Sequence, residues 1–179
     1  AWLIGGNANF VNTRCLKSLE NIEEIGGDLT IQQSNITDLG KLKIVKGNMN
    51  ISWSKIQDLG VLEEVVKEFS FYDTTITSFK NIRKCGSVDF SGTNVTDLVA
   101  CEEIGYADFC NSKITDLKNI RVLGFAIFTG SKVDNIGKLE RITDGCNGYG
   151  TENCLAQLKK IKDNIRHPDS TLEWALQAA

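Results

Sequence analysis

The heptapeptide "SNITDLG" at Ser34–Gly40 decides the fold, because near-copies return as "SKIQDLG" at Ser54–Gly60, "TNVTDLV" at Thr93–Val99 and "SKITDLK" at Ser112–Lys118. Working outward from them, units begin at Gly6, Gly27, Gly47, Lys67, Gly86, Gly105 and Gly124, with a period of 19 to 21 residues, and the last runs to Ile142. A fixed period of about 20 to 50 residues belongs to stacked arrays, in which each unit buries its apolar side against its neighbours.

Six positions of each unit are apolar. The third holds Ala8, Leu29, Met49, Phe69, Val88, Ala107 and Ala126, and the fifth Phe10, Ile31, Ile51, Phe71, Phe90, Phe109 and Phe128. Apolar residues separated by one polar residue predict a short strand with one face buried. The tenth position runs from Cys15 and Ile36 to Val133, and the last three are three apart, as in Leu39, Leu42 and Val45. Spacing of three predicts a 3₁₀-like turn. Each coil then reads strand, turn, short helical piece, turn.

The polar positions carry the same register. Just before the first of those last three apolar residues stand Ser18, Asp38, Asp58, Ser78, Asp97, Asp116 and Asn135, side chains that cap unpaired N–H groups at a helix start. The unit begins with Gly in six of seven cases, which predicts φ > 0 at the entry to each strand. Lys67 is the exception, expected to be strained or locally different. At the eighth position Thr13, Ser34, Ser54, Thr74, Thr93, Ser112 and Ser131 form an unbroken hydroxyl column, able to satisfy buried backbone groups along the turn.

This pattern resembles the leucine-rich repeat family, whose strand consensus LxxLxLxxN sets apolar residues around a polar ladder residue. "LTIQQS" (Leu29–Ser34) is similar to the last two-thirds of it, with Ser or Thr in place of Asn. The coils are similar also to those of the receptor L domains. Because Ile and Phe outnumber Leu and the units are short, the resemblance implies a right-handed β-solenoid whose convex segments are 3₁₀ or extended, and a scaffold that binds other proteins through its strand face.

The period stops after Ile142, dividing the chain into a seven-coil solenoid (1–142, first coil from about residue 6) and a cap (143–179). In the cap Leu155, Leu158, Ile161 and Ile165 have helical spacing, and His167-Pro168-Asp169-Ser170 breaks it before a second short helix. At the other end "LIGG" (Leu3–Gly6) matches "EIGG" (Glu24–Gly27). The chain thus opens in the tail of a coil, as a partial coil serving as cap or as a piece of a longer protein.

Composition narrows the function. With 41% hydrophobic and 24% charged residues, a net charge of −3 and a pI near 5.3, the chain has the balance of a folded globular protein and no basic field for nucleic acid. No apolar run approaches the roughly 20 residues needed to cross a bilayer. Cys15, Cys85 and Cys101 fall at core positions, where a thiol acts as a small hydrophobe; this favours a reducing compartment, with a secreted or cell-surface location left open. Cys110 falls on the outward side of its strand, and Cys146 and Cys154 stand in the link to the cap, as a disulfide or as thiols. The only His, His167, precedes Pro168 in a turn, and no phosphate-binding or zinc-protease motif occurs. The chain reads as non-enzymatic, with no cofactor and no metal. Glu23-Glu24, Glu63-Glu64 and Glu102-Glu103 share one convex register and read as a solvated face. The sequons at Asn35, Asn50 and Asn94 arise largely from the repeat itself.

Function is left to the outward side of the strands, the second, fourth, sixth and seventh positions. Asp73, Asp89 and Asp108 stand in the middle, with Trp53 and Tyr72 on one side and Tyr106, Phe125 and Ile127 on the other. Aromatics beside carboxylates are the anchors and rim of a protein interface, although Phe125 and Ile127, in the last coil, could instead lie under the cap. The expected partner is a protein. The alternatives are a spacer that stacks on itself through the N-terminal coil, or one repeat segment of a larger effector or receptor.

Overall fold

Every apolar register position meets its own counterpart one rung away, and the chain coils accordingly. The structure, a computed structural model, describes residues 2–166 and 168–178; His167, the one candidate base, lies outside them. The strands are β1 (Trp2–Ile4), β2 (Ala8–Asn9), β3 (Ile22–Ile25), β4 (Leu29–Thr30), β5 (Ile44–Val45), β6 (Met49–Asn50), β7 (Glu64–Ser70), β8 (Lys84–Asp89), β9 (Glu103–Asp108), β10 (Val122–Ile127) and β11 (Arg141–Asn147). All pair in parallel. One row runs β1-β3-β5-β7-β8-β9-β10-β11, and a second, β2-β4-β6, joins it at β7. From β7 onward the tail of one unit and the head of the next form a single strand that crosses the unit boundary.

The boundary glycines are present for a reason other than the expected one. None of Gly27, Gly47, Gly86, Gly105 and Gly124 has a left-handed φ. Successive coils instead pass backbone against backbone at this corner: a Cβ on Gly105 would strike the Gly86 carbonyl oxygen, and one on Gly124 the Gly105 carbonyl oxygen. Lys67 escapes the collision without strain. Val66 and Lys67 together face Gly86 in a β-bulge, which absorbs the residue lost as the period falls from 20 to 19 and bends the strand there. Thr143 and Asp144 face Gly124 in the same way, so β11 carries strand structure past Ile142 to Asn147.

Left-handed backbone falls elsewhere. The seventh position of each unit, from Asn12 through Trp53 and Asp73 to Gly130, has φ between 51° and 68°. The expected 3₁₀-like pieces are short. Each is a single turn closed by an i→i+3 bond, such as Leu42 N–H to Leu39 O at 3.2 Å, within an otherwise extended segment. In all seven units the polar residue before it caps that turn rather than a helix, accepting the N–H two residues on, as Asp58 Oδ1 does from Gly60 at 2.6 Å.

The hydroxyl column satisfies backbone inside its own coil instead of linking coil to coil. Ser34 accepts from Ile36 N–H and Ser112 from Ile114 N–H, whereas the Thr74 and Thr93 hydroxyls donate to the Phe71 and Phe90 carbonyls at 2.8 and 2.9 Å. Inside, the apolar registers are almost wholly buried. Phe90, Phe109 and Phe128 stack face to face with centroids 5.5 and 5.4 Å apart. The exceptions lie in the first coil: Cys15, expected in the core, is exposed, and Phe10 is only half-buried.

At the far end two helices close the core. Thr151 caps α1 (Glu152–Leu158), a kinked 3₁₀ stretch follows over Lys159–Asn164, and Asp169 caps α2 (Ser170–Gln177). Gln157 fastens this cap to the last coil, accepting from Ile136 N–H and donating to the Asp134 carbonyl at 2.8 Å.

Two substitutions test this packing by urea denaturation. Phe109→Ala opens a hole between two stacked rings and should cost about 3–5 kcal/mol. Gly105→Ala should cost about 1–3 kcal/mol through overpacking, while Gly92→Asn, which copies the left-handed corners at Asn12 and Asn111, should be close to neutral.

Candidate interaction surface

Two local devices shape the outward face. In the fourth position a short polar side chain accepts the N–H two residues on and turns the chain out of its strand: Asn50 does so from Ser52, Asp89 from Ser91 and Asp108 from Cys110, at 3.0, 2.8 and 2.8 Å. The left-handed seventh position then throws its side chain outward at the corner. Asp89 and Asp108 therefore have a structural task besides their charge, because the oxygen that accepts the amide holds the turn.

The predicted aromatics and carboxylates form two groups on this face. In the first, the Trp53 indole N–H donates to Asp73 Oδ2 at 2.6 Å, and the Tyr72 hydroxyl donates to Asp89 Oδ2 at 2.6 Å. Trp53 is 54% exposed and Tyr72 39%. The bond to Asp89, with help from desolvation and nearby carboxylates including Glu68, pushes the Tyr72 phenol up to about 12. In the second group Tyr106 and Phe125, register partners on β9 and β10, stack with centroids 5.8 Å apart and planes 7° apart. Desolvation, then the charges of Asp108 and Asp89, raises the Tyr106 phenol as well. Phe125 and Ile127 lie half-buried between β9 and β11. Asp89 and Asp108 connect the groups, directly opposite each other on β8 and β9.

A further ladder on another side of the solenoid was only half visible in the sequence. The glutamates at Glu23, Glu63 and Glu102 do not stack on one another: Lys43, Arg83 and Arg121 occupy the rungs between them, with Glu140 beyond, each joined to the next by a backbone bond. Arg83 meets Glu102 at 3.0 Å and Arg121 meets Glu140 at 2.8 Å. An open groove of about 740 Å³ runs over this ladder between Val61, Val99, Asn81 and Asn119. Reading the carboxylates without the cations between them concealed the alternation.

The thiols are placed for packing. Cys85, Cys101, Cys146 and Cys154 are all buried and unbridged, and burial pushes Cys101 and Cys146 up to about 12, far from the range of a nucleophilic thiolate. Among the described residues no group of three or more His, Cys, Asp or Glu side chains is arranged to hold a metal ion, and no helix is long and apolar enough to cross a membrane.

The geometry defines a stacked-repeat β-solenoid with a helical cap and an aromatic and acidic outer face. No protein family, curated protein or solved structure matches the chain.

The Tyr72–Asp89 bond can be read by titration. Tyr72 has a folded pKa raised above its ordinary 10.0, so its contribution to stability is present below pH 10 and is lost as the pH rises through about 12. Tyrosinate absorbance should show one phenol ionising late, and Asp89→Asn should move it back toward the ordinary value.

Proposed function

We propose that this chain is a non-catalytic protein-binding module of the leucine-rich-repeat kind, which engages its partner through the outward face around Trp53, Tyr72, Tyr106 and Phe125. The observation that carries this reading is Trp53. A left-handed corner suits Gly or Asn; of the other six equivalent corners four hold Asn12, Gly92, Asn111 and Gly130, and the remaining two the polar Gln33 and Asp73, so Trp53 is the one apolar ring among them. A bulky L-residue there costs about 1–2 kcal/mol. Trp53 bears that cost while exposing an indole whose one polar atom is already fixed by Asp73. Backbone strain held at an exposed aromatic points to a use outside the fold, and exposed, pre-oriented Trp and Tyr are the side chains that dominate binding energy at interfaces.

The resemblance to leucine-rich repeats supports the same surface, since the strand face is the one that family uses. The burial of Cys85, Cys101, Cys146 and Cys154 supports a packing role for the thiols, and with it binding over catalysis.

A second reading, self-association through the N-terminal coil, draws on one observation. Trp2 and Leu3 on β1 are 68% and 63% exposed, and Val11 and Cys15 of the first coil are exposed as well. Concentration-dependent growth in sedimentation, abolished by Trp2→Ser with Leu3→Ser, would favour it.

The primary reading is tested with Trp53→Asn, Tyr72→Ala and Tyr106→Ala combined. Capture of the partner from the native source should fall by about thirtyfold or more, as for hot-spot losses, while the melting temperature moves by no more than about 3 °C. A large drop in melting temperature would mean that these rings belong to the core.

A further inference from the structure

The same chain treats charge in two opposite ways. On the groove side each rung faces a rung of opposite sign, from Glu23 and Lys43 through Glu63, Arg83, Glu102 and Arg121 to Glu140. On the outward face the rule is abandoned. Asp89 and Asp108 are register partners on neighbouring strands, about 4.8 Å apart at the strand spacing, and like charges directly opposite destabilise a sheet. Asp73 and Glu68 add two more carboxylates in the preceding coil. None of the chain's 20 Lys and Arg occupies the second, fourth, sixth or seventh position of any coil. Cations stand at the borders, among them Lys67 in the bulge, and Lys55 and Lys113 across the hydroxyl column, bonded to Asn35 and Asn94 at 2.8 and 2.6 Å.

Turn geometry does not demand this arrangement, because Asn50 closes the equivalent turn through its amide oxygen without a charge. Asp89 also accepts the Tyr72 hydroxyl, but carboxylates at 89 and 108 add a repulsion that turn closure does not need and that a cation from outside would relieve. The aromatics alongside suit the same cation. Tyr72, Tyr106 and Phe125 offer ring surface to a guanidinium or ammonium, and Arg is the residue that joins aromatic faces and carboxylates most readily.

We infer that the outward face is a docking surface for a Lys/Arg-bearing extended segment of a protein partner, whose cations seat on Asp73, Asp89 and Asp108 between the aromatic flanks. This rests on the proposed binding role and specifies its chemistry.

The test uses the whole chain and a synthetic peptide with Arg at alternate positions, with its Glu-for-Arg counterpart and calcium chloride alone as further arms, followed by calorimetry and amide chemical shifts. The Arg peptide should bind, shift residues of the β7–β10 face, and weaken about tenfold between about 0.1 M and 0.5 M NaCl. The variant Asp73→Asn, Asp89→Asn, Asp108→Asn keeps the turn acceptors; it should lose about tenfold or more in affinity while its amide spectrum remains that of the native fold. Should that variant fail to fold, Glu68→Gln together with the salt series on the native chain decides. Equal binding of the Glu peptide, binding that ignores salt, shifts confined to the groove side, or saturable calcium binding without peptide binding would each overturn the inference. A neutral or acidic partner captured in an aromatic-dependent way would sink this inference and leave the binding role standing.

Discussion

In a parallel stack every side chain stands one strand spacing from the residue at its own register position in the next coil, so each column must be compatible with itself. Most features of the chain follow from that constraint. Apolar columns close into a continuous core, and flat rings in one column stack, as Phe90, Phe109 and Phe128 do. A column crossing where two backbones nearly touch admits only Gly, as at Gly86, Gly105 and Gly124. A charged column repeats its own repulsion on each rung unless its sign alternates, as it does from Glu23 to Glu140. The Asp pair on the outward face is the place where the constraint is broken, which is why it attracts a functional reading.

Stability in such an array is a sum over rungs and the contacts between neighbours, and an uncovered end leaves one rung short of contacts. The helical cap supplies them at one end, with Leu155, Leu158 and Leu172 buried against the core and Gln157 occupying backbone groups of the last coil. In the first coil Phe10 is half-buried and Cys15 exposed.

Much of the architecture was legible in the sequence because the apolar columns recur in strict register: the coils, their strands, the buried hydroxyls and the helical cap all follow from it. What stayed hidden depends on how coils meet, which one unit does not display. Gly105 reads as a turn residue until Gly86 is seen beneath it. Asp38 reads as a helix cap because the same side chain closes a two-residue turn equally well. Cys15 shares its column with Ile36 and Ile56 but is exposed in the first coil. On the outward face the residue types were readable, but the pairing of Trp53 with Asp73 and of Tyr72 with Asp89 needed the corner geometry, and the contrast between the alternating and like-charged columns needed the register.

The bulge at Val66 and Lys67 has a mechanical consequence. Before it, apart from β1 and β3, the strands are two residues long and interrupted at each corner; after it they run six or seven residues without a break. The coil thus changes gauge in its middle, from short strand pairs joined at hydrogen-bonded corners to continuous strands over a ring-filled core. Trp53 lies on the N-terminal side of that joint and Tyr106 on the other. A partner bridging both would act as a splint across that seam.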